Sequence, residues 1–125
     1  MDRLQKYIDN KKVKYSFSRE LIYKILLNEN DCLTVCMITE KLNDRYLQKV
    51  SKNTIYRHLR FFIEYDLAFT IEVSDKAYYC LYKKEQMVFS ICTKCNMVEK
   101  IEIDLPNELR EYSYVTLHKN CKNCR

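Results

Sequence analysis

The order of hydrophobic patterns predicts an α+β chain in two parts: helices first, then a hairpin, then a short strand-rich segment. Three observations carry this. Apolar residues recur at helical spacing as far as Ile63. Beyond Asp66 they alternate with period two. Near the C-terminus, two Cys-x-x-Cys pairs flank a stretch with strand character.

Leu4, Tyr7 and Ile8 make a first short stripe that ends near Lys11-Lys12. Leu21, Ile22, Ile25 and Leu26 make a second, with Ser16 or Ser18 available as the N-cap. Asn28 to Asp31 breaks it. Val35, Ile38 and Leu42 make a third behind Thr34, followed by a polar connection from Asn43 to Val50. Ser51 opens the strongest helix, with Ile55, Leu59, Phe62 and Ile63 on one face. Phe69, Ile71 and Val73 then alternate with Thr70 and Glu72. Ser74-Asp75-Lys76 turns the chain, and Tyr78 to Tyr82 returns. Helices followed by a two-stranded hairpin is the order of a winged helix. Further on, Met87, Phe89 and Ile91 alternate as a strand, Met97 to Ile103 reads as a second, and Tyr112 to Leu117 as a third. Asp104-Leu105-Pro106 starts a short helix between the last two. The expected organisation is a winged-helix domain over residues 1–82 and a small zinc-stabilised α/β domain over residues 83–125.

Composition narrows the function. The chain has 125 residues, 47% of them apolar and 31% charged, so a core can form beneath a well-solvated surface. It has no glycine and one proline, which excludes the Gly-rich loops of P-loop and dinucleotide-binding proteins. No apolar run approaches the ~18 residues of a membrane span, and Met1 to Lys6 lacks the apolar stretch of a secretory signal. The expectation is a cytoplasmic protein with no membrane partner. In a reducing compartment, seven cysteines point to metal or redox chemistry and not to disulfides.

Cys92, Cys95, Cys121 and Cys124 are the predicted ligands of one structural Zn²⁺ per chain. Each Cys-x-x-Cys forms a tight turn that presents two thiolates, and two turns complete a closed tetrahedral shell. A closed shell leaves no position for substrate. A redox dithiol is the competing reading, but it usually occurs once, at a helix start in a thioredoxin-like fold, and no such pattern is present. A segment this short also needs a staple to hold together.

On the helix from Ser51, a period of about 100° per residue gathers Asn53, Tyr56, Arg57 and Arg60 opposite the apolar face. This face carries donors, a ring and two guanidinium groups, with no acid before Glu64. Such a set suits a major groove, with Lys52 beside it for a phosphate. A plain solvated face is the alternative, and the neighbouring Lys11, Lys12, Lys14 and Arg19 weigh against it. The net charge is +5, spread over both halves, so binding must depend on where charge is placed and on dimerisation. No acid–base dyad with His, no Ser/His/Asp set and no open metal site points to an enzyme.

The run Ser51-Lys52-Asn53-Thr54-Ile55-Tyr56-Arg57-His58-Leu59 resembles the recognition-helix signature of the ferric uptake regulator family. Ile91-Cys92-Thr93-Lys94-Cys95 with Val98-Glu99 resembles that family's first cysteine pair, Cys121–Cys124 its second, and Val13 to Arg19 the start of its second helix. The resemblance implies a homodimeric, metal-dependent transcription regulator, usually a repressor, on duplex DNA. The expected operator is AT-rich and palindromic. By the same likeness Tyr56 would touch a base, Arg57 the DNA and Lys14 the minor groove.

One departure stands out. The family's His-rich stretch before the first cysteine pair is here Lys84-Glu85-Gln86-Met87-Val88-Phe89-Ser90. His58 and His118 are the only histidines, so an Fe²⁺ site with several imidazoles cannot be built. The likeness places Cys32 at a family histidine position and Cys80 at an acidic one. These two, with Met87, form a candidate regulatory site for a second, soft metal or a reversible disulfide. The plainer alternative, which the sequence favours, is that both are small buried hydrophobes. Cys36, one helical turn from Cys32, is expected in or near the core. Two rival functions remain: a family member without a sensor, locked in one state by zinc, and a zinc-ribbon module that binds protein or RNA.

Overall fold

The computed structural model of the chain describes residues 16–29 and 31–124. The stripe from Leu4 to Ile8 and Lys14 lie outside the described residues.

Helix α1 spans Phe17–Asn28. Of the two serines available, Ser16 is the N-cap: its hydroxyl accepts from the Arg19 N–H at 3.4 Å. The helix buries Leu21, Ile22, Tyr23, Ile25 and Leu26. Just past its end, the Glu29 carboxylate accepts from Lys41 at 2.7 Å and from Arg45 at 3.0 Å, tying α1 to the next helix. That helix, α2, spans Val35–Tyr46, with Thr34 as cap. It runs further than the polar character of Asn43 to Tyr46 suggests. Leu42 remains buried, and the left-handed Leu47 that follows closes the end: its N–H donates to the Asn43 carbonyl, and the Gln48 N–H to that of Leu42. Cys36 lies on the exposed side of α2, contrary to the expectation of a near-core position. The buried stripe of Val35, Ile38 and Leu42 faces away from it.

Helix α3 spans Lys52–Glu64, and Ser51 caps it by accepting from the Thr54 N–H at 3.2 Å. It buries Ile55, His58, Leu59 and Phe62. Ile63 is exposed, contrary to its expected place on the apolar face, because the helical period carries it to the edge of that face. Strands β1 (Ala68–Val73) and β2 (Lys76–Leu81) form the hairpin. Val73 pairs with Lys76, so the loop is Ser74-Asp75, and both of these residues have positive φ. That is the geometry of a two-residue primed turn, which usually recruits Asn or Gly. In a glycine-free chain, Ser and Asp adopt it instead. Leu33 adds a bridge to β2: its N–H donates to the Tyr79 carbonyl at 2.9 Å, and the Tyr79 N–H donates back at 2.7 Å.

The second sheet has β3 (Met87–Cys92) at its centre, β4 (Val98–Ile101) antiparallel on one side and β5 (Tyr114–Lys119) parallel on the other. The parallel partner requires a crossover, which β4 and a 3₁₀ turn at Asn107–Leu109 supply. The turn falls just past Pro106, where a short helix was expected. β3 is buried at every position and not on alternate ones. A central strand covered on both faces loses the in–out pattern.

Two apolar clusters result. One joins α1, α2, α3 and the base of the hairpin around Phe62, Ile22, Ile25 and Ile38. The other joins Phe69, Ile71, Val73 and Cys80 of the hairpin to Met87, Phe89 and Ile91 of β3, with Cys32 from the segment before α2. The Phe69 and Tyr114 rings stack at 4.0 Å, so the hairpin packs directly on the second sheet.

Candidate metal centre and nucleic-acid interface

The four predicted metal-binding cysteines converge. Their Sγ atoms all lie within 4.8 Å of one another, and the Cys95 and Cys121 sulfurs are 3.6 Å apart. Zn–S bonds of roughly 2.3 Å in a tetrahedron put the sulfurs about 3.8 Å apart, so the donor set fits such an ion. Cys92 ends β3, and Cys121 follows β5 on the adjacent strand, so the parallel pairing brings the two turns together. Cys92 is the best supported ligand. The amides of Lys94, Cys95 and Cys121 donate to its sulfur at 3.3–3.4 Å. Those donors, from Cys95 and Cys121 first, hold the Cys92 thiol down to about 5. The neighbouring thiols, Cys121 first, push Cys124 up to about 12. Four sulfurs gathered this closely make a donor set suited to a cation among them. Asn96, with positive φ, completes the first turn. Thr93 Oγ1 donates to Asn120 Oδ1 at 2.6 Å and ties one turn to the other. That pair was not found from the sequence; its only signal is that each residue adjoins a cysteine pair.

The α3 face is as the helical period places it. Lys52, Asn53, Tyr56, Arg57 and Arg60 are all exposed, while Ile55, Leu59 and Phe62 anchor the helix from behind. Tyr56 is 43% exposed, enough for its ring to reach outward. Arg19 is placed differently from these five. It is half-buried, with its guanidinium 3.9 Å from the centre of the Phe61 ring. Burial and the nearby Arg57 charge both lower its pKa. Such a cation–π contact holds the group against α3. His58 is buried, and its Nε2 lies 2.8 Å from Ser18 Oγ. This link between α1 and α3 gives His58 a packing role. His118 is exposed on β5.

The three candidate regulatory residues fall in one buried cluster. Leu33 and Tyr79 form a mutually hydrogen-bonded antiparallel pair, which sets Cys32 opposite Cys80. The interaction between the two thiols, with burial, raises the pKa of Cys32, and the same interaction lowers that of Cys80. Cys80 Sγ lies 3.9 Å from Met87 Sδ. All three residues are buried.

The family profile described as the ferric uptake regulator family matches residues 10–123. The chain belongs to the ferric uptake regulator family. No curated protein matches it. Solved structures share the fold at low identity. The Helicobacter pylori ferric uptake regulator, described as having three functional metal binding sites, is 20% identical; the match covers 98% of this chain and 89% of that one, with a TM-score of 0.77. A Pseudomonas aeruginosa ferric uptake regulator with manganese is 15% identical over 94% and 97%, at 0.75. The Streptococcus pyogenes peroxide-sensing regulator PerR is 17% identical over 98% and 91%, at 0.58. As a ferric uptake regulator family member, the chain is a DNA-binding transcription regulator, and its four-cysteine cluster fits a structural zinc site. Among the described residues, no helix is long and apolar enough to cross a membrane.

Proposed function

We propose that the protein represses transcription as a homodimer, each protomer laying α3 into the major groove of one half of an AT-rich palindromic operator. Zn²⁺ is the ion held by Cys92, Cys95, Cys121 and Cys124, and it holds together the C-terminal dimerisation domain, residues 83–125, which follows the winged helix of residues 1–82. The observation that carries this reading is the exposed row Asn53, Tyr56, Arg57 and Arg60 on a capped, well-anchored helix. Arg57 and Arg60 have the geometry to read guanine or hold phosphate, Tyr56 and Asn53 to touch base edges, and Lys52 to hold a phosphate at the helix start. Arg19, clamped on Phe61, acts by steadying α3 and by adding positive potential beside Arg57. Lys14 is assigned to the minor groove on the family likeness alone. Two-fold symmetry sets the half-sites about one helical turn apart.

The test is selection of bound duplexes from a randomised pool by the zinc-loaded protein, followed by titration at two salt concentrations. The expected result is a palindromic consensus with affinity falling steeply as salt rises. Arg57→Ala and Tyr56→Ala should each weaken it by about 10- to 100-fold, or about 1–3 kcal/mol, without changing zinc content. Binding that ignores salt, or survives both substitutions unchanged, rules this reading out.

A further inference from the structure

We infer that Cys32, Cys80 and Met87 form a second, sulfur-only metal site that takes one soft monovalent cation of the Cu(I) type. The inference goes beyond the DNA-binding reading, and its test does not involve DNA.

The geometry comes from three separate segments. The Leu33–Tyr79 bridge fixes the backbone on which Cys32 and Cys80 face each other. Met87 opens β3 in the second sheet and brings its thioether to 3.9 Å from Cys80 Sγ. Metal–sulfur bonds of roughly 2.3 Å in a trigonal plane separate the sulfurs by about 4 Å. The Cys80–Met87 pair is already at that spacing, and Cys32 lies across the bridge in the same buried cluster.

The donor set decides the class of ion. Two thiols and a thioether are soft ligands, which favour Cu(I) over Fe²⁺ or Mn²⁺. Zn²⁺ would want a fourth ligand. The nearby acid, Asp31, is committed, because its Oδ1 accepts from the Lys100 amide. Neither histidine joins the set: His58 is bound to Ser18, and His118 is exposed on β5. Binding is a proton exchange with no change of oxidation state. The ion forms bonds to two thiolate sulfurs and the thioether, and the two thiol protons leave to solvent. The resulting centre carries one net negative charge, and Lys83 and Lys100 both act electrostatically on the thiols. A cavity adjoins the site on one side. A cavity of about 450 Å³ elsewhere on the chain, beside Thr39 and Ser51, touches none of these sulfurs. A smaller one, of about 210 Å³, is lined by Lys83, Lys84, Glu85, Met87 and Lys100, so Met87 stands on its wall. Occupied, the site would clamp the segment before α2, the hairpin and the second sheet to one ion.

The experiment uses the full-length, zinc-loaded protein under reducing, oxygen-free conditions. Cu(I) is offered from a chromophoric chelator, and copper and zinc are both counted per chain. The expected result is uptake of one Cu(I) with the zinc retained. Cys32→Ser and Cys80→Ser should each weaken uptake by about 100-fold or more, and Cys36→Ser should leave it unchanged. Met87→Leu keeps the core volume and so tests the site even where a serine disturbs folding. It should weaken uptake about tenfold, and X-ray absorption at the copper edge should lose one sulfur neighbour. The proposal is overturned if copper enters only by displacing zinc, if uptake is unchanged in Cys32→Ser and Met87→Leu, or if the intact protein takes none.

Discussion

Sixteen buried residues form the cluster among α1, α2, α3 and the hairpin base, whereas the cluster that includes the second sheet has eight, and only Met87, Phe89 and Ile91 of those come from the sheet. All three lie on β3. Among the described residues, β4 and β5 add only half-buried side chains, Val98 and Tyr114, to that cluster. The helical half thus resembles an ordinary small domain, held by apolar burial. The sheet borrows Phe69, Ile71 and Val73 from the hairpin and gathers at its far end four cysteines, a cluster that fits a structural zinc site. The difference teaches where metal matters. It is structural where apolar area runs short.

The sharpest way to break the comparison is to remove the zinc. Structural zinc in small domains is worth ~10–16 kcal/mol of binding free energy near pH 7, nearly all of it folding energy. A strong chelator should therefore abolish amide protection in β3, β4 and β5 while α1, α2 and α3 keep theirs. Hydrogen exchange with mass detection reads both halves at once. Cys92→Ser should be the most damaging single substitution, because Cys92 is buried and its sulfur accepts from three amides. Equal loss of protection in both halves would show that the sheet has no separate dependence on the ion.

The converse perturbation is smaller. Phe62 is fully buried between the helices and meets Tyr23 edge-on at 5.5 Å. Phe62→Ala should cost about 3–5 kcal/mol and lower the denaturation midpoint of the helical half. Zinc content should stay at one per chain, since no ligand touches that core. Loss of zinc in this variant would mean that the two halves fold as one unit.

Much of this contrast was legible in the sequence. The helical stripes gave α1, α2 and α3, with Ser16 or Ser18, Thr34 and Ser51 marking their starts, because capping chemistry is local. The paired Cys-x-x-Cys spacing gave the metal centre, because a tight turn fixes two ligands within four residues. What the sequence hid was non-local. The six-residue burial of β3 depends on the parallel partner β5, which no period-two pattern reveals. The exposure of Cys36 depends on which face of α2 meets its neighbour. The meeting of Cys32, Cys80 and Met87 was suggested by family likeness, but only the Leu33–Tyr79 bridge gives it a physical cause.

The smallest predicted effect probes His58, which joins α1 to α3 behind the exposed basic row. Burial first, then the charges of Arg19 and Arg57, push its pKa down to about 4 from an ordinary value near 6.5. The fold thus requires the neutral ring, while the unfolded chain binds a proton already near pH 6.5. Between those two values the unfolded state holds more protons, so stability rises with pH. The contribution is complete above pH ~6.5 and is lost progressively as pH falls toward about 4. Allowing for partial solvent screening, its size is on the order of 2 kcal/mol. His58→Gln removes the titration and retains an amide that can meet Ser18 Oγ. Urea midpoints measured from pH 7 to about 4.5 should therefore fall less steeply in the variant than in the parent. Parallel slopes would mean that protonated His58 is tolerated between the two arginines. The helical half would then be as indifferent to this charge as the sheet is dependent on its own.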